Sequence, residues 1–157
     1  EDEYPQALKE AFSLDRKILL EQAIIGREIE AAVLGNDSPE VATTLGEIIP
    51  NHEFYSYNAK YVDPNGAILI IPAEIEANVA SRIRDLAVES FRVVEGLGMA
   101  RVDFFLTKDN QIYINEINTL PGFTSNSMYP KLWEASGLRY SELLHQLVKL
   151  GLQRVAV

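Results

Sequence analysis

The sequence has no cysteine among its 157 residues. That removes a disulfide framework and thiolate chemistry, and fits a reducing compartment. Histidine is almost absent. His145 falls on an amphipathic stretch and His52 in a turn-rich one, and neither has a metal-ligand partner at useful spacing. Positive charge is scarce as well: 14 Lys and Arg against 23 Asp and Glu leave a formal net charge of −9, with no basic run. No nucleic-acid or anionic-membrane partner is therefore expected. An anionic ligand would have to be met by a few placed cations or a metal. No apolar run approaches the ~20 residues that span a bilayer, and there is no signal-peptide pattern. Repeats and low-complexity tracts are missing too. The chain opens on charged residues with no initiator Met, as expected of a piece of something longer.

What remains is a composition suited to a packed core, 47% hydrophobic and 24% charged. "YPQALKEAFSL" carries Leu8, Ala11 and Phe12 at helical spacing and reads as the end of a helix. "KILLEQAIIGREIEAAVLG" gives two strand candidates, 17–22 and 27–34, divided at Gly26. The second alternates Ile29, Ala31 and Val33 against Glu28, Glu30 and Ala32. A short strand is expected at 44–49 and another at "AILII". Between them, 51–66 is polar, turn-rich and aromatic, which predicts a long structured loop. Ile75, Val79, Ile83, Leu86, Ala87, Val94 and Leu97 then keep helical period, with Gly96 or Gly98 suited to the C-terminal cap. "MARVDFFLTKDNQIYINEIN" reads as a β-hairpin with the polar turn Lys108–Gln111. Helices are expected around Lys131–Ala135, with Trp133 a core anchor, and at 141–153, with Ser141 as N-cap. Strands and helices alternate without a regular βαβ beat. The expected class is α+β with mainly antiparallel sheets.

The hairpin concentrates the chemistry. Glu116 and Asn118 share one strand face by alternation, and the same alternation puts Ile112 and Ile114 with them. A turn centred on Asp109-Asn110 would set Asp103 across from Glu116, and Arg101 across from Asn118. Opposed side chains lie roughly 4.5–5.5 Å apart at Cβ. Two carboxylates at that distance repel by about 3 kcal/mol at an effective dielectric of ~20. The pair needs a proton or a cation. Two readings fit the spacing equally. Arg101 could bridge the acids in a surface salt network. Alternatively, the hard oxygens could hold Mg²⁺ with water and phosphate completing its shell, leaving Arg101 to face negative charge on a substrate.

The stretch "GMARVDFFLTKDNQIYINEINTLPGFTSNSMYPKLWEASG" resembles the C-terminal part of D-alanine–D-alanine ligases, members of the ATP-grasp superfamily. "LLEQAIIGREIEAAVLG", "YSYNAKY" and "IPAEI" match as well, in the family's order, so the resemblance runs through nearly the whole chain. It implies an ATP-grasp fold and a cytoplasmic ligase of peptidoglycan precursor synthesis. ATP would phosphorylate one D-alanine, and the amine of a second would attack the acyl phosphate. Asp103, Glu116 and Asn118 would hold two Mg²⁺ or Mn²⁺ ions, with Glu116 bridging, and Arg101 would stabilise charge on the acyl phosphate. Gly122 would allow close approach by substrate, while Ser127 and the Met128 amide would meet the second D-alanine's carboxylate. Glu21, Ala23 and Ile24 would lie along adenine, Glu28 would bind ribose hydroxyls, and Lys60 would contact phosphate on a lid spanning 51–66.

Tyr61 would hydrogen-bond into the closed site; relatives that make a D-alanyl–D-lactate ester typically carry another residue there, so Tyr61 points to a dipeptide product. Related ligases using D-lactate or D-serine, and a non-catalytic nucleotide- or metal-binding module, are the alternatives. The resemblance also implies homodimers. From residues alone, Glu21 and Glu28 would be solvent-facing acids on ordinary strands. The chain is expected to divide into 1–73, the remainder of a central subdomain, and 74–157, the C-terminal one. The Ser/Gly-rich phosphate loop and the N-terminal α/β domain of these ligases do not occur in it. Residues 1–157 alone are therefore expected to show no D-alanine-dependent ATP hydrolysis in an ADP-release assay; measurable turnover would refute that.

Overall fold

The computed structural model describes residues 3–50, 67–124 and 126–155. In chain order the elements are α1 (Tyr4–Leu14), β1 (Arg27–Gly35), β2 (Glu40–Val41), β3 (Gly46–Pro50), β4 (Ala67–Ile70), α2 (Ala77–Val93), β5 (Gly98–Leu106), β6 (Ile112–Asn118), α3 (Met128–Ala135) and α4 (Tyr140–Val155). All strands join one antiparallel sheet in the order β4-β3-β1-β5-β6, with β2 paired to β1. The expected α+β class with antiparallel pairing holds. The line expected between residues 73 and 74 passes through this sheet, since β1, β3 and β4 precede it and β5 and β6 follow.

Two cores lie on opposite faces of the sheet. On one, Val79, Ile83, Ala87 and Phe91 of α2 make a single stripe at four-residue spacing. They pack on Ile29, Ala31 and Val33 of β1 and on Ala100, Val102, Phe104 and Leu106 of β5. On the other, Leu132 and Trp133 of α3 and Leu143 of α4 pack on Ala32, Leu34, Ala42 and Ile48. Trp133 is the core anchor expected. The period-2 alternation of β1 therefore sorts its side chains between two helix layers rather than between core and water.

Several boundaries differ from expectation for identifiable reasons. Residues 17–22 form no strand: they are irregular, and Leu19 and Leu20 are exposed, with no ladder partner among the described residues. Helix α2 stops at Val93 because Glu95 takes φ 53°. Its N–H bonds the Arg92 carbonyl and the Gly96 N–H bonds that of Phe91, a Schellman closure with Glu95 rather than a glycine in the left-handed position. Gly96 serves instead by lacking a Cβ, which would meet the Phe91 ring at 2.5 Å. Helix α3 begins three residues earlier than expected, at Met128. Helix α4 starts at Tyr140, so Ser141 lies inside it; the Arg139 N–H is bonded by Glu142 at 3.2 Å instead.

Helix α3 is fixed to the sheet at its first turn. Its Tyr129 is fully buried and donates its hydroxyl to the Val33 carbonyl of β1 at 2.9 Å. Gly46 of β3 admits Met128 directly onto the strand; a Cβ there would overlap Met128 Sδ. Tyr129→Phe should keep the packing but remove the buried hydroxyl-to-carbonyl hydrogen bond. A loss of about 0.5–1.5 kcal/mol in urea denaturation is expected.

Candidate functional site

The hairpin β5–β6 contains an irregularity that decides the site. Leu106 pairs with Ile112 and Phe104 with Ile114, but Asp103 pairs with Glu116 and Arg101 with Asn118. Asn115 is therefore the extra residue of a β-bulge. The turn is closed by the Thr107 N–H on the Gln111 carbonyl at 3.0 Å, with Asn110 at φ 61°, so it centres on Asp109. The expected pairings of Asp103 and Arg101 occur, although the expected turn centre is off; the bulge makes up the difference. It also corrects the face assignment. Ile112 and Ile117 pack with the α2 core, and Ile114, opposite buried Phe104, faces the same way. Glu116 and Asn118 do not share that face: the bulge turns them to the opposite one, beside Arg101 and Asp103.

Arg101 is the centre of this face. Its Nε and Nη2 donate to the two oxygens of Asp103, each at 2.7 Å, in a planar fork. Nη2 reaches Glu116 Oε1 at 3.5 Å, and Nε lies 3.2 Å from Glu30 Oε2. Burial pushes the Asp103 carboxyl up from its ordinary value, Arg101 opposes that, and the nearby Glu116 charge adds to it. Burial alone would lower the Arg101 pKa, but its carboxylate partners outweigh this and the net direction is up. Three carboxylates thus face one guanidinium, a local excess of negative charge that a further cation would relieve.

The donor set suits a hard divalent ion. Asp103 and Glu116 offer carboxylate oxygens, and Asn118 offers an amide oxygen that accepts the Leu120 N–H at 3.1 Å. No group of three His, Cys, Asp or Glu with metal-ligand geometry occurs among the described residues. A site of two acids and one amide leaves positions for water and phosphate, which is how Mg²⁺ is commonly held.

The remaining expected residues are spread around this centre. Gly122 and Ser127 meet: a Cβ on Gly122 would lie 2.9 Å from the Ser127 hydroxyl. That hydroxyl accepts the Thr124 N–H at 3.0 Å and does not cap α3. Tyr140 ties the loop down, donating to the Phe123 carbonyl at 3.3 Å with the rings 5.4 Å apart. Met128 packs over Gly46, the residue paired with Glu30. Glu28 lies on the site face of β1, opposite Phe105 and Ile48. Glu21 and Ala23 are exposed and Ile24 is half-buried in an irregular segment, and the structure does not bring them onto the acidic cluster. Lys60, Tyr61, His52 and the whole lid expected at 51–66 lie outside the described residues. His145 is exposed on α4.

Sequence reasoning passed over Glu30. It alternates with Ile29 and Ala31 and reads as a solvent-facing acid, yet it is only 3% exposed. A signal was present: Ala32, on the same face two residues on, is apolar, so this face is covered too.

Comparison with known proteins gives a consistent result. The family model for the D-ala D-ala ligase C-terminus matches residues 1–149. The chain is 55% identical over 154 residues to D-alanine–D-alanine ligase A of Salmonella typhimurium, covering 98% of this chain and 42% of that protein. It thus spans well under half the length of the curated relatives it matches. Among solved structures it is similar to the D-alanine–D-alanine ligase of Coxiella burnetii, with TM-score 0.82, 43% identity and coverage of 98% of this chain and 39% of that one. It is also similar to the Bacillus anthracis ligase complexed with ATP, with TM-score 0.78 and 31% identity over 98% of this chain and 48% of that one.

Removing the central cation should expose the charge excess. Arg101→Met in protein kept in chelator is expected to cost about 3 kcal/mol or more in urea denaturation, because buried Asp103 and Glu30 lose the guanidinium paired with them.

Proposed function

The chain belongs to the D-alanine–D-alanine ligase family, with the ATP-grasp fold of that family, and from this premise we propose that it is the C-terminal catalytic portion of an ATP-dependent ligase joining two D-alanines. The observation that carries the reading is the placement of Asp103 opposite Glu116, with Asn118 two residues on and Arg101 between them.

Asp103, Glu116 and Asn118 are the residues that would hold Mg²⁺ or Mn²⁺. Bound there, the ions would screen the triphosphate and the substrate carboxylate and would favour in-line transfer of the γ-phosphoryl group. Arg101 supplies fixed positive charge to the acyl phosphate and to the tetrahedral species that follows; its orientation is set before substrate arrives, so little reorganisation is needed. Ser127 and the Met128 amide, at the start of α3, receive the carboxylate of the second D-alanine. Gly122 keeps the adjoining backbone open. Glu28 takes the ribose, and Glu21, Ala23 and Ile24 lie along adenine. Lys60 on the phosphates and Tyr61 in the closed site rest on the motif "YSYNAKY", and Tyr61 supports an amine as the attacking group. The product serves peptidoglycan precursor synthesis in the cytoplasm, where ATP is at hand.

Glu116→Gln in the full-length protein tests the reading. It keeps the shape and removes one ligand charge. Residues that merely support metal ligands are worth on the order of 10- to 100-fold, so D-alanine-dependent ADP release should fall by at least that much, and Mn²⁺ binding should weaken in parallel. Near-normal turnover would remove Glu116 from the site.

A further inference from the structure

Glu30 is a buried carboxylate that none of the roles above uses. It sits on β1 between Asp103 of β5 and Gly46 of β3. Its side chain is 4% exposed, less than that of Asp103 or Glu116. Burying a carboxylate is costly unless it is compensated, so a position chosen only for packing would favour an apolar residue. Its Oε2 lies 3.2 Å from Arg101 Nε, an ion pair rather than a hydrogen bond, since the Nε–H is given to Asp103 Oδ1. In the sheet order β1-β5-β6, Arg101 therefore has an acid on each flanking strand, Glu30 on one side and Glu116 on the other. Met128, packed on Gly46, covers the strand next to Glu30.

The two flanking acids differ in kind. Glu116 is about half exposed and, like Asp103, is one of the residues assigned to cations above. Glu30 faces Arg101 from the closed side. We propose that Glu30 is a positioning residue that holds the Arg101 guanidinium from the β1 side, keeping its orientation when the carboxylates of Asp103 and Glu116 are drawn to other partners. Charge, rather than volume, is what Glu30 contributes. The proposal rests on the ligase reading for its effect on turnover, though not for the contact itself.

The test uses the full-length protein with Glu30→Gln, Glu30→Asp, Arg101→Lys and the double variant Glu30→Gln/Arg101→Lys. Glu30→Gln should lower kcat on the order of 10- to 100-fold, the usual scale for residues that orient a reacting group. KM for ATP and Mn²⁺ affinity should stay within about twofold, because only the transition-state interaction is affected. Glu30→Asp should retain more kcat than Glu30→Gln, since it keeps the charge. In the Arg101→Lys background Glu30→Gln should add little, because the two act as one unit. Wild-type kcat in Glu30→Gln, or multiplicative losses in the double variant, would overturn the proposal. So would a change confined to nucleotide or Mn²⁺ affinity. A second readout is independent of ligation: the order parameter of the Arg101 Nε–H vector from 15N relaxation, its resonance identified by its loss in Arg101→Lys, should fall in Glu30→Gln. An unchanged order parameter would overturn the positioning role. Absence of D-alanine-dependent ADP release in the wild type would refute the ligase reading, and the order parameter would then decide on Glu30.

Discussion

Nine successive pairs, from Arg27 opposite Leu106 to Gly35 opposite Gly98, join β1 to β5 at the middle of the sheet. Strands far apart in sequence become neighbours through this ladder, and each face of it then has a fixed composition. Ile29, Ala31 and Val33 align with Phe104, Val102 and Ala100, giving α2 an apolar floor. Glu28, Glu30 and Ala32 align with Phe105, Asp103 and Arg101 on the other face. A slip of one residue would bury the acids under α2 and turn the core residues toward the site. The register is therefore held by the hydrophobic core on one face and expressed as chemistry on the other.

That second face is divided. Towards the Gly35 end, Ala32 and Leu34 meet α3 and α4. Towards the Arg27 end it carries Glu28, Glu30, Asp103 and, from β6, Glu116. The close approach of Met128 to Gly46 and the Tyr129 hydroxyl on Val33 set where the helical cover stops. The start of α3, with Ser127 and Met128, is thus fastened to the same strand that carries Glu28 and Glu30. A helix terminus and a charged strand face come to share one border without any contact between residues adjacent in sequence.

The charged cluster is not explained by stability. Arg101, Glu30 and Asp103 are all buried on one side of the sheet, and the acids outnumber the cation. Pairs of this kind seldom repay their desolvation against apolar replacements of like volume. The same arrangement is well suited to ligand chemistry: a guanidinium oriented in advance, with carboxylate and amide oxygens beside it on a half-open edge. Of the two sequence readings of the hairpin, the salt network is the one its side chains form, and its excess of acids is what the proposed divalent site draws on.

Much of this was open to the sequence because it is local. Period-2 alternation marked β1, helical period marked α2, and polar residues between two apolar runs marked the hairpin. The pairing of Asp103 with Glu116 was reached from a turn centre that the structure shifts and the bulge then offsets, while the ordered motifs carried the family. Four matters needed the tertiary structure. The bulge at Asn115 reverses a face, and nothing in "YINEIN" signals it, because a bulge is settled by what packs on each side. The left-handed Glu95 ends α2 against a preference for glycine, because Phe91 and the following strand fix the turn. Residues 17–22 have strand composition, but a strand forms only where a neighbouring edge is available. Glu30 reads as a surface acid because alternation tells which residues share a face. Only the packing of Met128 and the approach of Arg101 decide whether that face meets water.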